Sequence, residues 1–324
     1  MTHADTTTPG TTTTGTTSTD AASADPTPVA PRPFHAEGYG GLPLVGDEWG
    51  NPGNERPPVL LLHGGGQNRH AWRATAARLA AGGYFAVTVD ARGHGDSGWS
   101  PTAEYDMEHY AADVLALLER FDRPPVAVGA SMGGMSALLA QAEVGAEPQL
   151  FRAVVLVDVT PRMELTGVQR IMGFMTANPD GFATLQDAAD AIAAYNPHRT
   201  RQPGANLEGL RKVLRERNGR YHWRWDPAFV TSKAEFLNAA PAEAEARMAE
   251  MAERMHAAAA LVRAPALLVR GSQSDLVSGA SVRDFLRTVP HARFVDVAGA
   301  GHMVAGDDND TFSVAVLEFL AELA

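Results

Sequence analysis

The chain has 324 residues, 45% of them hydrophobic and 20% charged, with a formal net charge of −11. That composition is ordinary for a globular protein. The acidic balance disfavours phosphate backbones as ligands, and the absence of cysteine excludes disulfides, a thiolate nucleophile and Cys-ligated metals. No apolar run approaches the ~20 residues that span a bilayer, and the N-terminus lacks the basic start and apolar core of a secretory signal. The expectation is therefore a cytoplasmic protein acting on a small molecule, without a nucleic-acid or membrane partner. Its oligomeric state is left open.

Residues 1–33 consist almost wholly of Thr, Ala, Gly, Pro, Ser and Asp. A segment with no apolar face has nothing to bury, and it reads as a disordered tail. From Phe34 the pattern turns globular. Val59-Leu60-Leu61-Leu62 reads as a short buried strand ending at His63, and residues 70–81 read as a helix. Phe85 to Asp90 is the next strand. Residues 108–121 place Val114, Leu117, Leu118 and Phe121 on one helical face. Val126 to Gly129 is a strand, and Met132 to Ala142 a helix of small residues. Further strands follow at Ala153–Asp158, Ala266–Arg270 and Arg293–Val297, with helices near 280–289 and 310–322. Such alternation predicts a mostly parallel sheet flanked by helices on both faces. About a hundred residues between Asp158 and Ala266 show helical patterns without clear strands. A structureless loop of that length is implausible in a compact domain. It reads as a helical cap over residues 161–263, dividing a core made of 34–160 and 264–324.

Gly129-Ala130-Ser131-Met132-Gly133 has the G-x-S-x-G pattern, directly after a buried strand and directly before a helix. That context suits a serine on a sharp strand-to-helix turn, with its hydroxyl projecting above the sheet. An ordinary strand-to-helix turn is the alternative. A serine hydroxyl needs a base, and the base needs an orienting acid. Of eleven histidines, His302 lies in Gly301-His302-Met303, past the last strand and before the last helix. It shares the C-terminal edge of the sheet with Ser131, where ligand chemistry gathers in open α/β sheets. Two carboxylates compete for the acid. Asp275 sits on the loop between the last two strands, side by side with the loop of His302, gives the chain order Ser, Asp, His and is preferred. Asp158, at the end of the strand before the cap, is the alternative. The oxyanion requires two backbone N–H donors. Met132 supplies one, and the run His63-Gly64-Gly65-Gly66 the other, from Gly65 or, failing that, Gly66.

In order along the chain, His63-Gly64-Gly65-Gly66, Asp90-Ala91-Arg92-Gly93-His94-Gly95-Asp96-Ser97, the serine turn, Asp275 and Gly301-His302 resemble the α/β-hydrolase superfamily. Within it, the chain looks like the capped branch of esterases, C–C bond hydrolases and cofactor-free haloperoxidase-like proteins. The likeness runs from about 40 to 322, apart from the cap. It implies a catalytic triad of Ser131, Asp275 and His302, and a structural role for the Asp90–Ser97 segment. Epoxide hydrolases and haloalkane dehalogenases of this fold use an aspartate nucleophile, so serine argues against both activities.

In the cap, Tyr195, Asn196, His198, Tyr221, His222, Trp223, Arg224, Trp225 and Phe229 either line a substrate pocket or form the cap's own core. Trp223 and Trp225 are the candidate binding residues. Met172, Phe174 and Met175 carry the same ambiguity. No His/Asp/Glu cluster has metal-ligand spacing, and no step requires a cofactor. The expected activity is hydrolysis of a small, largely apolar carboxylic ester or lactone. The alternatives are C–C cleavage of a vinylogous diketone and a non-catalytic ligand receptor built on a hydrolase shell.

Overall fold

The computed structural model describes residues 30–195, 207–231, 239–303 and 309–323. Most of the expected tail, and the cap candidates Asn196 and His198, lie outside the described residues. The tail does not extend to residue 33, because β1 (Arg32–Glu37) begins at Arg32. This strand pairs antiparallel with β2 (Pro43–Trp49), and neither strand is apparent in the hydrophobic pattern. Their apolar residues are few, although Phe34, Leu44 and Trp49 are buried. Pro33 is tolerated in β1 because that strand closes the sheet at its edge.

The remaining sheet follows the predicted rhythm: β3 (Val59–Leu62), β4 (Ala86–Val89), β5 (Val126–Ala130), β6 (Ala153–Val157), β9 (Ala266–Gly271) and β10 (Arg293–Val297). The strand order is β1-β2-β4-β3-β5-β6-β9-β10. All pairs from β4 to β10 are parallel. Every residue of β3, β4, β5 and β6 is buried, as strands covered on both faces must be. Their side chains alternate between two cores. Leu60, Leu62, Val154, Leu156 and Leu268 face one way. There they meet α2 (Met107–Leu118), α3 (Met132–Val144) and α8 (Gly279–Thr288). Val59, Leu61, Val126, Val155 and Val269 face the other way, towards α1 (Arg73–Ala81) and α9 (Ser313–Glu322).

Between β6 and β9 lie α4 (Leu165–Thr176), α5 (Leu185–Tyr195), the strands β7 (Leu214–Arg217) and β8 (Arg220–Trp223), α6 (Pro227–Thr231) and α7 (Pro241–Ala259). The insertion is thus not purely helical. Leu-Arg-Glu-Arg and Arg-Tyr-His-Trp pair as an antiparallel hairpin, whose polar sequence gives no strand signal. The hairpin side of the insertion is strapped to the loop after β4. Gly95 N–H donates to Arg224 O, and Asp226 N–H to Gly93 O, both at 2.7 Å. Arg224 pairs with Asp96 at 2.6 Å, and the Tyr105 hydroxyl donates to Asp226. On the other side, Met255, Ala258 and Ala259 of α7 enter the core beneath α3.

Candidate active site

Ser131 is the first residue past β5, and Asp158 the first past β6. The two strands are in register, with Ala130 opposite Val157. Both residues take a left-handed backbone, φ 45° at Ser131 and 51° at Asp158. Ser131 N–H donates to Val157 O at 3.0 Å, and Asp158 N–H to Val269 O at 2.7 Å. A non-glycine residue in that region is strained, and here it bends the chain sharply off the strand at the sheet's C-terminal edge. The flanking glycines of the serine turn are required by close approach. A Cβ on Gly129 would lie 2.4 Å from Gly134 N, and one on Gly133 2.6 Å from Leu62 O.

The acid facing the histidine is Asp158 and not the preferred Asp275. His302 Nδ1–H donates to Asp158 Oδ2 at 2.7 Å. The carboxylate also accepts from Ser274 Oγ–H at 2.8 Å and from Gly271 N–H at 3.1 Å. Its residue is only 2% exposed, so three donors compensate a charge taken out of water. Asp275 instead accepts from Arg170 of α4 at 2.6 Å, at a partly exposed ion pair. The turn after β9 explains the difference. Ser274 N–H bonds back to Gly271 O at 2.9 Å, and Gln273 N–H bonds to Ala300 O at 2.8 Å. This folds Ser274 onto Asp158 and carries Asp275, four residues past the strand, outward to α4.

The hydrogen bonds of the loop after β3 separate its three glycine amides. Gly64 N–H donates to Gln67 Oε1 at 3.0 Å. Gly66 N–H donates to His94 Nε2 at 3.1 Å. Only the middle amide, Gly65 N–H, has no partner among the described residues, and Gly65 borders the cavity that holds Ser131 and His302. The Met132 amide opens α3, where backbone N–H groups have no intrahelical acceptor. His94 is thus not a spectator. Its Nδ1–H donates to Arg92 O at 2.9 Å, which leaves Nε2 as the acceptor that fixes Gly66, while Phe229 packs edge-on against the ring at 4.6 Å.

His63 anchors the start of the same loop. Its Nδ1–H donates to Gly64 O at 2.8 Å, and its Nε2 accepts from Ala91 N–H at 2.9 Å. Burial pushes the imidazole down to about 4, opposed by the bond to Gly64 and assisted by the nearby Arg69 charge. The folded state therefore refuses a proton that the unfolded chain accepts below its ordinary value of 6.5. Stability is full above that value and drains as pH falls from 6.5 towards 4, by about 3 kcal/mol for a shift of this size. Urea unfolding measured across this window should show the decline, and a His63→Gln variant should show a shallower one. Equal slopes in the two proteins would assign the acid sensitivity elsewhere.

Ser131 and His302 border a cavity of about 340 Å³ beneath the insertion. No hydrogen bond joins them in this arrangement, and catalytic contacts of this kind tighten when substrate arrives. The walls come from α4 (Val168, Ile171, Met172, Met175), α6 (Phe229) and α7 (Arg247, Met248, Met251). Met107, Met132, Met135, Met163, Leu276 and Met303 complete them. Of the residues whose sequence left pocket and packing open, Phe229, Met172 and Met175 border this cavity, and Phe174 does not. Trp223 and Trp225 do not line it. They stack on each other at 4.9 Å, buried with Phe174, Phe182 and Tyr195 in the insertion's own core. Trp225 also backs the glycine loop, since a Cβ on Gly66 would lie 3.2 Å from its ring. The methionines of α7 and of the core went unnoticed in the sequence. Their signal was the spacing Met248, Met251, Met255, one face of a helix. Among the described residues no group of His, Cys, Asp and Glu has the arrangement of a metal site.

A parallel sheet whose serine turn, buried His–Asp pair and glycine-loop amide converge on one cavity defines a hydrolase site of the α/β type. Residues 57–308 match the family model for the alpha/beta hydrolase fold, and the chain belongs to that family. The esterase Rv0045c of Mycobacterium tuberculosis is 30% identical over 267 residues, covering 79% of this chain and 80% of that protein. A crystal structure of that esterase superposes with a TM-score of 0.64 at 27% identity, over 91% of this chain and 93% of the other. The 2-(acetamidomethylene)succinate hydrolase of Mesorhizobium japonicum is 28% identical over 253 residues, covering 76% and 82% of the two chains. The chain is thus an α/β-hydrolase enzyme. No helix among its described residues is long and apolar enough to cross a membrane.

Proposed function

We propose that the protein hydrolyses a small, largely apolar carboxylic ester or lactone through an acyl-enzyme on Ser131. The observation that carries this reading is the buried His302–Asp158 pair at 2.7 Å, whose histidine borders the same cavity as the serine. With Nδ1–H committed to Asp158, the other ring nitrogen, Nε2, is the one left to act as base. It takes the hydroxyl proton as Ser131 Oγ adds to the substrate carbonyl carbon. The Gly65 and Met132 amides hold the oxyanion. His302 then returns the proton to the departing alcohol oxygen as the C–O bond breaks. A water molecule repeats the sequence on the acyl-enzyme, its proton passing through His302 to Ser131 as the acid leaves. The esterase relative supports ester chemistry.

The test is a fluorophosphonate probe together with a panel of p-nitrophenyl esters, a lactone and a dienoate diketone. The expected result is stoichiometric labelling of Ser131, located by peptide mass spectrometry, with turnover of the esters. Cleavage of the diketone alone would replace ester hydrolysis by C–C cleavage. An unlabelled serine without turnover would point to the receptor reading.

A further inference from the structure

Nine of the ten methionines among the described residues border the cavity that holds Ser131 and His302. The tenth, Met255, continues the α7 stripe into the core. We infer that this cavity is an adaptable pocket for the acyl part of the ester, and that the acyl group it takes is an unbranched, flexible hydrocarbon chain of about eight to ten carbons. The inference rests on the ester-hydrolase reading above and names its substrate class.

The lining excludes polar acyl groups. Apart from Ser131 and His302, the only charged or strongly polar side chain on the wall among the described residues is Arg247. That side chain is half-exposed and already paired with Glu243 at 2.7 Å. A hydroxyl, amide or carboxylate carried into the pocket would lose water without gaining a partner. The thioethers also begin at the reacting carbonyl. A Cβ on Gly65 would lie 3.9 Å from Met132 Sδ, and one on Gly66 3.1 Å from Met175 Cε. The pocket therefore starts where the acyl carbon must sit between Ser131 and the Gly65 amide.

Side-chain type sets the selectivity. Leucine and phenylalanine walls fix a shape. Methionine is unbranched and has three rotatable bonds, so it re-packs around chains of different length. Met172 and Met175 of α4 and Met248 and Met251 of α7 all line the space, and the α7 pair is only partly buried. Size sets the limit. A methylene occupies about the volume of a water, about 30 Å³, so 340 Å³ holds a chain of the length proposed.

The experiment measures kcat/KM for p-nitrophenyl esters from acetate to laurate, with benzoate as a rigid control. Each methylene buried should raise kcat/KM by up to about fourfold. The rise should level off between octanoate and decanoate, and benzoate should fall below octanoate. Met248→Trp, which fills the space, should lower the octanoate-to-butanoate ratio by at least about tenfold, while the volume-conserving Met248→Leu holds it within about threefold. If the tryptophan variant fails to fold, mild peroxide on the wild type gives the same readout. Without cysteine the methionines are the oxidisable sulfurs, and sulfoxides make the wall polar, so octanoate turnover should fall before acetate turnover. Equal loss at both lengths overturns the inference. So does a wild-type profile that is flat or falling beyond acetate while acetate hydrolysis still depends on Ser131, and the acyl-enzyme reading then stands. No Ser131-dependent hydrolysis of any ester overturns both.

Discussion

Replacing Ser131 by alanine should abolish ester turnover, by several powers of ten in kcat, and leave the melting temperature close to that of the wild type. Among the described residues the Ser131 side chain makes no hydrogen bond that holds the fold, while its main chain is tied to Val157, Gly134 and Met135. Alanine keeps those backbone bonds and loses only the nucleophile. A glycine variant separates the two roles further. At φ 45°, ψ −115° a side chain is strained at a cost of about 1–3 kcal/mol, which glycine relieves. Ser131→Gly should therefore be as inactive as Ser131→Ala and unfold at the same temperature or higher. The check pairs initial rates on p-nitrophenyl butanoate with thermal melts of the purified variants. Activity within tenfold of the wild type in either variant removes Ser131 as nucleophile.

The parts of this site that the sequence reveals are those dictated by burial and backbone geometry. Val126 to Gly129 and Ala153 to Asp158 read as strands because β5 and β6 are covered on both faces and admit nothing polar. Gly129 and Gly133 mark the turn because no Cβ fits there. The first hairpin was not legible, since Pro33 and Gly38 to Gly41 break its pattern and its edge position relaxes the demand for apolar residues. The β7–β8 hairpin is equally silent, its Arg and Glu residues largely facing solvent. Trp223 and Trp225 show why residue type alone does not assign a pocket. Both sit in the insertion, but their faces are spent on each other, and the wall of the cavity is methionine. The sequence does not separate Gly65 from Gly66, because His94 and Gln67, which claim the neighbouring amides, reach the loop through the folded chain.

Asp158→Asn should cut kcat/KM by about four powers of ten, whereas Asp275→Asn should change it by no more than about threefold. The preference for Asp275 rested on the last two loops lying side by side. They do, but the position that meets His302 is the first residue beyond a strand, and only Asp158 holds it. Its two oxygens receive three donors, Gly271 N–H on Oδ1 and both Ser274 Oγ–H and His302 Nδ1–H on Oδ2. Asparagine cannot satisfy all three. If its NH₂ replaces Oδ1, it confronts the Gly271 N–H, which cannot turn away. If it replaces Oδ2, Ser274 can rotate its hydroxyl, but His302 must accept a hydrogen bond from the NH₂ at Nδ1, with its own proton on Nε2. The second arrangement is the less costly, and it turns the base into a donor towards Ser131. Asp275 has no such constraint. An asparagine there still accepts from Arg170 through its oxygen, and the lost charge belongs to a partly exposed pair of small energetic weight. Steady-state kinetics of the two variants, with melts to confirm folding, decide the order. A large loss in Asp275→Asn with near-normal Asp158→Asn would reverse it, and the buried His302–Asp158 contact would then be structural.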